Sequence, residues 1–275
     1  MLFSTLLASA LLATSTVAVP TAKERFEARV ARRASSGASH ASINKVEVPT
    51  RSRANRVSST KVSQGTKTQF SDNWAGAVLS SAGGTWSSVF GVITVPTPKA
   101  PKGEKGSFAA SAWVGIDGDT CGSAILQTGI DLINDNGNVT YTPWFEWYPD
   151  FAFDIGGFDI SPGDTLALYV EADSATTGYI TIANEVNGQE VWESLSSTSP
   201  LCQQDAEWIV EDYEENGSLV PLANFGTVEF DTITAITTAG DYFGNDNATQ
   251  FDIQQTKTLT KVTFPDTGTV SVTYV

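Results

Sequence analysis

The sequence predicts an all-β fold, a sandwich or barrel of antiparallel strands. Three observations carry this. Apolar and polar residues alternate over short runs, turn residues recur between those runs at short spacing, and no long helical period appears in the 275 residues. A chain of this size, with 41% hydrophobic residues, can bury the core of one large β domain.

In chain order, SSVFGVITVP (Ser87 to Pro96) reads as a strand closed by proline. TPKAPKGEKGS (Thr97 to Ser107) gathers three lysines with Pro and Gly and reads as an ordinary surface loop, open to nicking. DTLALYVEA sets Leu166, Leu168 and Val170 against Ala167, Tyr169 and Glu171, the two-residue period of a half-buried strand. YITIANEVNGQEVWES reads as a hairpin turning at Asn187-Gly188, the strongest short hairpin signal. In AEWIVED the same period puts Ala206, Trp208 and Val210 on one face, and Glu207, Ile209 and Glu211 on the other. GTVEFDTITAITT and the terminal GTVSVTYV complete the alternating segments.

The first residues, MLFSTLLASALLATSTVAVP, form an apolar run ending in small residues, and residues 1–18 read as a secretory signal peptide. Residues 19–67 are of another composition. From Pro20 to Lys67 there are eleven Lys/Arg against three Glu, a balance of +8, with ERFEARVARR as a short helix candidate. Behind a signal peptide this is a removable pro-segment. Residues 68–275, the body, hold five Lys, no Arg and 28 Asp/Glu, a balance of −23. That acidity repels nucleic-acid phosphate. It also leaves few side-chain cations to repel one another in acid, which suits a protein that works at low pH.

The body excludes whole classes of chemistry. The single histidine, His40, falls in the basic segment, so a Ser-His-Asp or Cys-His system lacks its imidazole base. His-ligated zinc and arginine clamps go with it. Cys121 and Cys202 are too few for a thiolate metal site, and in an oxidising compartment they read as one disulfide. Proton chemistry is left to carboxylates, with amides, hydroxyls and Lys in support. N-x-[ST] triplets at Asn138, Asn216 and Asn247 are glycosylation candidates for a secreted chain.

Four acidic stretches stand out: WVGIDGDT with Asp117 and Asp119, TPWFEWYPD with Glu146, FDIGGFDISPGD with Asp154, Asp159 and Asp164, and DAEWIVEDYEE with Glu207, Glu211 and Glu215. Most acids in any protein are solvated surface groups. Glu146 lies between Trp144 and Trp147 and should be desolvated and hydrogen-bonded. Glu207 and Glu211 share a strand face, and pattern alone does not choose between them. Gln127, inside the apolar run AILQTG, is either a satisfied core amide or a donor aimed at a developing oxyanion.

SDNWAGAVL, SAWVGIDGDTC, AILQTG, FEWYPD, AEWIVEDYE and SVTYV occur here in an order that resembles the glutamic peptidases, or eqolisins, secreted acid endopeptidases. The resemblance covers nearly all of Ser71 to Val275. It implies a sandwich of two packed antiparallel sheets, concanavalin- or jelly-roll-like, with a cleft on a concave sheet face. It implies a catalytic pair, Gln127 with Glu211, where Glu211 is general base and acid and the Gln127 amide holds the oxyanion. Supporting, substrate-binding positions fall on Trp113, Asp117, Asp131 and Glu146, and a disulfide on Cys121 and Cys202. Phe145 stands where many members have Tyr. Expected partners are protein and peptide substrates and the chain's own pro-segment as intramolecular inhibitor. A monomer is expected, secreted, with no cofactor, metal, nucleic acid or membrane. Two other readings use the same residues: a β-sandwich glycosidase working with Glu146 and Glu211, and a non-catalytic carbohydrate-binding sandwich stacking sugars on its tryptophans.

Overall fold

The computed structural model describes residues 39–47 and 68–275. The stretch read as a signal peptide, the ERFEARVARR run and residues 48–67 lie outside the described residues.

Two large sheets pack face to face. The first runs, edge to edge, β1 (Thr68–Ser71), β16 (Thr249–Ile253), β2 (Trp74–Ser80), β11 (Asp205–Glu211), β4 (Ser107–Ile116), β5 (Ile125–Asp135), β6 (Asn138–Tyr148) and β7 (Phe153–Asp154). The second runs β10 (Gln189–Ser196), β9 (Thr177–Asn184), β8 (Thr165–Ser174), β3 (Trp86–Thr94), β14 (Thr227–Thr237), β18 (Val270–Tyr274) and β17 (Thr260–Thr263), with β15 (Tyr242–Phe243) beside β14. A two-stranded ribbon, β12 (Glu214–Glu215) and β13 (Ser218–Leu219), follows β11. Neighbours are antiparallel throughout, apart from the parallel β1–β16 pair. The expected all-β sandwich is thus the fold.

The two sheets differ in burial, and the difference locates the site. In the second sheet, Leu166, Leu168, Val170 and Ala172 of β8 point into the core while the residues between them are half-open. That is the alternation of a sheet wet on one face. In the first sheet, β11 is buried at every position, and β4 and β5 nearly so. One of its faces packs on the second sheet through Ala75, Val114, Leu126, Trp208 and Val210, against Val89, Ile93, Leu168 and Phe230. The other face carries a separate apolar layer of Trp74, Val78, Trp113, Ile125, Trp144, Ile209 and Phe251, with Ile43 packed against it. A sheet covered on both faces loses the polar half of its pattern.

The β9–β10 hairpin is where expected but turns differently. Asn184 pairs with Gln189, so the loop is Glu185 to Gly188 rather than a two-residue Asn187-Gly188 turn. Asn184 causes this: its Oδ1 accepts the N–H groups of Val186 and Asn187, an Asx turn that starts the reversal early. Gly188 still supplies the positive φ, 74°. The Cys121–Cys202 disulfide forms, tying the turn after β4 to the approach to β11. Lys99 anchors the lysine-rich loop by paired backbone hydrogen bonds with Asn224. Asn138, Asn216 and Asn247 are all exposed.

Candidate active site

Register alone builds a grid on the face of the first sheet that looks away from the second. One row crosses four strands as Glu207 (β11), Gly115 (β4), Gln127 (β5), Glu146 (β6). Two residues along each strand, hence on the same face, the next row is Ile209, Trp113, Gly129, Trp144. The third is Glu211, Ser111, Asp131, Thr142. Gln127 and Glu211 therefore lie diagonally across the grid with Gly129 beside their midpoint. Gly129 must be glycine: a Cβ there would stand 2.3 Å from the Ala112 carbonyl oxygen and 2.5 Å from Trp113 Cβ. Its missing side chain lets Trp113 and the β4 backbone lie close against β5.

The polar groups meet on this face. Trp113 Nε1 donates to Glu211 Oε2 at 2.9 Å. Gln127 Nε2 lies 3.3 Å from Glu146 Oε2. Glu211, Gln127 and Glu146 are fully buried. Burial pushes the Glu211 carboxyl well above the usual carboxylate range, and the charge of Glu146 pushes it further. The side-chain hydrogen bonds of Trp113 and Trp74 pull it back toward ionisation.

The described part of the basic segment lies in this cleft, where sequence reasoning had not singled out His40. His40 donates its backbone N–H to Glu146 Oε2 at 3.1 Å, and its carbonyl accepts from Gln127 Nε2 at 2.8 Å. Its imidazole Nδ1 is 3.1 Å from Glu211 Oε2, and Nε2 is 3.6 Å from Asp131 Oδ1. The ring stacks on Trp144 with centroids 3.7 Å apart and planes 5° from parallel. Around it the segment is held mostly by main chain. Ser39 exchanges backbone hydrogen bonds with Glu214, Trp74 Nε1 donates to Ala41 O, Asn73 Nδ2 donates to Ser42 O, and Ile43 N donates to Gly118 O. Lys45 pairs with Asp119. Histidine was set aside at sequence level because it lies outside the body; no local pattern could have shown that the chain folds back over 171 positions to bring it to Glu211.

Of the residues singled out in the sequence, the structure brings together Gln127, Glu211, Trp113, Asp131 and Glu146. Asp117 does not join them. It sits at the end of β4 with φ 72°, and its two oxygens accept the N–H groups of Cys202, Gln203, Gln204 and Asp205, bracing the entry to β11. Burial pushes its pKa up, against the pull of those N–H groups. Asp117, Cys121 and Cys202 also form the one cluster of metal-ligand type among the described residues. Both sulfurs are in the disulfide and the carboxylate is occupied, so it offers no open ligand set. Trp74, Asn73 and Tyr213, whose ring centroid lies 5.1 Å from that of His40, complete the cleft wall.

The model of the peptidase A4 family matches residues 72–274, which span the whole grid and every strand of both sheets except β1. The chain belongs to the peptidase A4 family. It is 39% identical to aspergillopepsin-2 of Aspergillus niger over 295 aligned positions that cover all of both chains. It is 43% identical to scytalidopepsin B of Scytalidium lignicola over 185 positions, 64% of this chain and 67% of that protein. Among solved structures, scytalido-glutamic peptidase with a transition-state analogue inhibitor superposes with a TM-score of 0.67 at 38% identity, covering 74% of this chain and 98% of that one. This peptidase A4 chain is therefore a hydrolase of the glutamic peptidase type, an endopeptidase, and the glycosidase and sugar-binding readings of the same carboxylates fall away.

Proposed function

We propose that the protein is a secreted acid endopeptidase whose catalytic pair is Glu211 and Gln127, made as a precursor with its own basic segment in the cleft. One observation carries this reading: Gln127 Nε2 meets a peptide carbonyl, that of His40, while a group attached to the same residue meets Glu211. A peptide in the cleft is thus served by an amide donor at its carbonyl oxygen and a carboxylate beside it.

With a substrate in place of His40, ionised Glu211 takes a proton from a water as that water attacks the scissile carbonyl carbon. The carbonyl oxygen gains the negative charge, and the Gln127 NH₂ group donates to it. Glu211, now protonated, passes its proton to the leaving nitrogen as the C–N bond breaks. This yields a carboxylic acid and an amine and returns the carboxylate. An ordinary Glu titrates near 4.3, and a base works best when its pKa lies near the operating pH. His40 adds to the burial of Glu211, so its departure relaxes the upward push and lets the carboxylate ionise in acid.

The precursor reading rests on the same residue. In the precursor the His40 imidazole faces Glu211 and Asp131. Protons added to this fully buried cluster in acid leave it with fewer ionised carboxylates to hold the imidazole, and the segment is expelled. Digestion of denatured protein at about pH 3–4, near the ordinary Glu pKa, tests the activity. Glu211→Gln should abolish it and Gln127→Ala should cost at least about 10²–10³ in kcat, the loss typical of a missing oxyanion donor. Gln127→Glu should do little better, since a carboxyl does not reproduce both amide donors. Near-normal turnover by folded Glu211→Gln protein would remove Glu211 from the base role.

A further inference from the structure

Among the buried acids of the grid, Glu207 has no part in the proposed reaction and no contact with the segment in the cleft. Glu207 shares the face of Glu211, four residues upstream on β11. It is fully buried, and neither carboxyl oxygen has a hydrogen-bond partner among the described residues. Its neighbours show where the local donors went. Asp117 takes four backbone N–H groups, and Asp205 takes Thr120 N, Thr120 Oγ and Cys121 N. Lys45 pairs with Asp119. Glu207 receives none, and from β2 it faces only Val78. No hydrogen bond among the described residues favours its ionised form. Burial pushes it well above the carboxylate range, and Asp205, Asp117 and Asp119 push in the same direction.

A buried carboxylic acid is a donor in search of an acceptor. In its own row the groups are Glu207, Gly115, Gln127 and Glu146. Gln127 commits its NH₂ toward the cleft and toward Glu146, while its Oε1 is buried without a partner. Gly115 alone separates the two unmatched groups. A Cβ on Gly115 would stand 3.3 Å from Glu207 Oε1, 3.3 Å from Gln127 Cβ and 2.8 Å from Trp113 Cζ3. Any larger residue would wedge the row apart.

Building on the assignment of Gln127 as oxyanion donor, we propose that Glu207 is a positioning residue. As a neutral acid it donates its O–H across Gly115, through one bridging water, to Gln127 Oε1. This fixes the amide with its NH₂ toward the scissile carbonyl. Glu146 orients one end of the amide and Glu207 the other. Loss of the Glu207 proton turns the donor into an acceptor and adds a charge beside Asp117, Asp119 and Asp205, with Glu211 on the same strand face and Glu146 beyond Gln127. The amide then loses its orientation.

The test is the pH dependence of kcat and KM on an internally quenched peptide, for acid-activated full-length protein carrying Glu207→Gln or Glu207→Leu. Glu207→Gln keeps a donor that cannot ionise, so acid turnover should persist and the high-pH limb should move upward. Glu207→Leu should lower kcat about tenfold or more, less than loss of the oxyanion donor itself, with KM unchanged. In difference infrared spectra, the carbonyl band of a protonated carboxylic acid should disappear in Glu207→Gln. An unmoved high-pH limb in Glu207→Gln overturns the proposal, as does kcat within twofold of wild type in Glu207→Leu. If Glu207→Leu does not fold, the Glu207→Gln limb decides alone. Gln127→Ala assayed in parallel separates the two ideas: full activity there removes the oxyanion role of Gln127 rather than the support given to it.

Discussion

The indole N–H of Trp113 ends on Glu211 Oε2, 2.9 Å away, and both residues come from adjacent antiparallel strands. This donor favours the ionised carboxylate against the burial that opposes it. Trp113→Phe keeps the ring and deletes the donor. The Glu211 pKa then rises further, so less of the base form is present at a given acid pH. We expect kcat to fall roughly tenfold, in keeping with about 1.5–3 kcal/mol for a hydrogen bond to a charged group. The rising limb of the kcat–pH profile should move to higher pH while KM holds. A profile identical to wild type would mean that the bond does not set the acidity of Glu211.

His40 makes a sharper prediction about the precursor. His40→Ala removes the stack on Trp144 and the contact with Glu211 but leaves the backbone hydrogen bonds of the segment. A peptide of residues 39–47 should inhibit the mature enzyme near neutral pH and inhibit less as pH falls. The alanine variant should bind at least about tenfold more weakly, since a charge-assisted bond is worth about 1.5–3 kcal/mol. The full-length His40→Ala protein should also activate at a higher pH than wild type. Equal inhibition at all pH values by the native peptide would show that charge at His40 is not the trigger.

Asp117 predicts a stability effect rather than a catalytic one. Its carboxyl gathers four successive backbone N–H groups from Cys202 to Asp205. Asp117→Ala strands them in a part-buried place, at a cost of about 3 kcal/mol. The melting temperature should drop by several degrees, by roughly 2–4 °C per kcal/mol in a domain of this size. Residual folded enzyme should keep its KM. A variant with native melting but lost turnover would move Asp117 into the chemistry.

What the sequence made legible follows from where each signal is local. Strand alternation in β8 and β9 is plain because one face of the second sheet meets water. The faces of AEWIVED were also readable, since register on one strand needs no partner. The choice between Glu207 and Glu211 was not, because it depends on what lies across the sheet. Glu211 faces Ser111 and receives Trp113, while Glu207 faces Gly115 and receives nothing. Gln127 looked equally like a core amide, and indeed it is fully buried beside Glu146. Its second contact, to the His40 carbonyl, comes from 87 positions away and leaves no periodic trace. The role of Asp117 as a brace was hidden for the same reason: its partners lie beyond the disulfide, 85 to 88 positions on.

Asp212, next to Glu211, ties the stability of the fold to acid. Its carboxyl is almost fully buried and its pKa is pushed up to about 7, first by burial and then by the nearby Asp72, against the hydrogen bond from Gln255 Nε2. A raised folded-state pKa in an acid means that the folded protein holds its proton more tightly than the unfolded chain. The corresponding stability is fully present below the unfolded value, near 3.9, and is lost as pH rises from there to about 7. Roughly three pK units set an upper bound of about 4 kcal/mol on this single group. Asp212→Asn cannot ionise, and its amide can still meet Gln255. The wild-type melting temperature should therefore decline between pH 4 and pH 8, and the decline should be shallower in Asp212→Asn, with the gap between the two opening above about pH 4. Parallel melting curves across that range would show that the proton on Asp212 contributes nothing to acid stability.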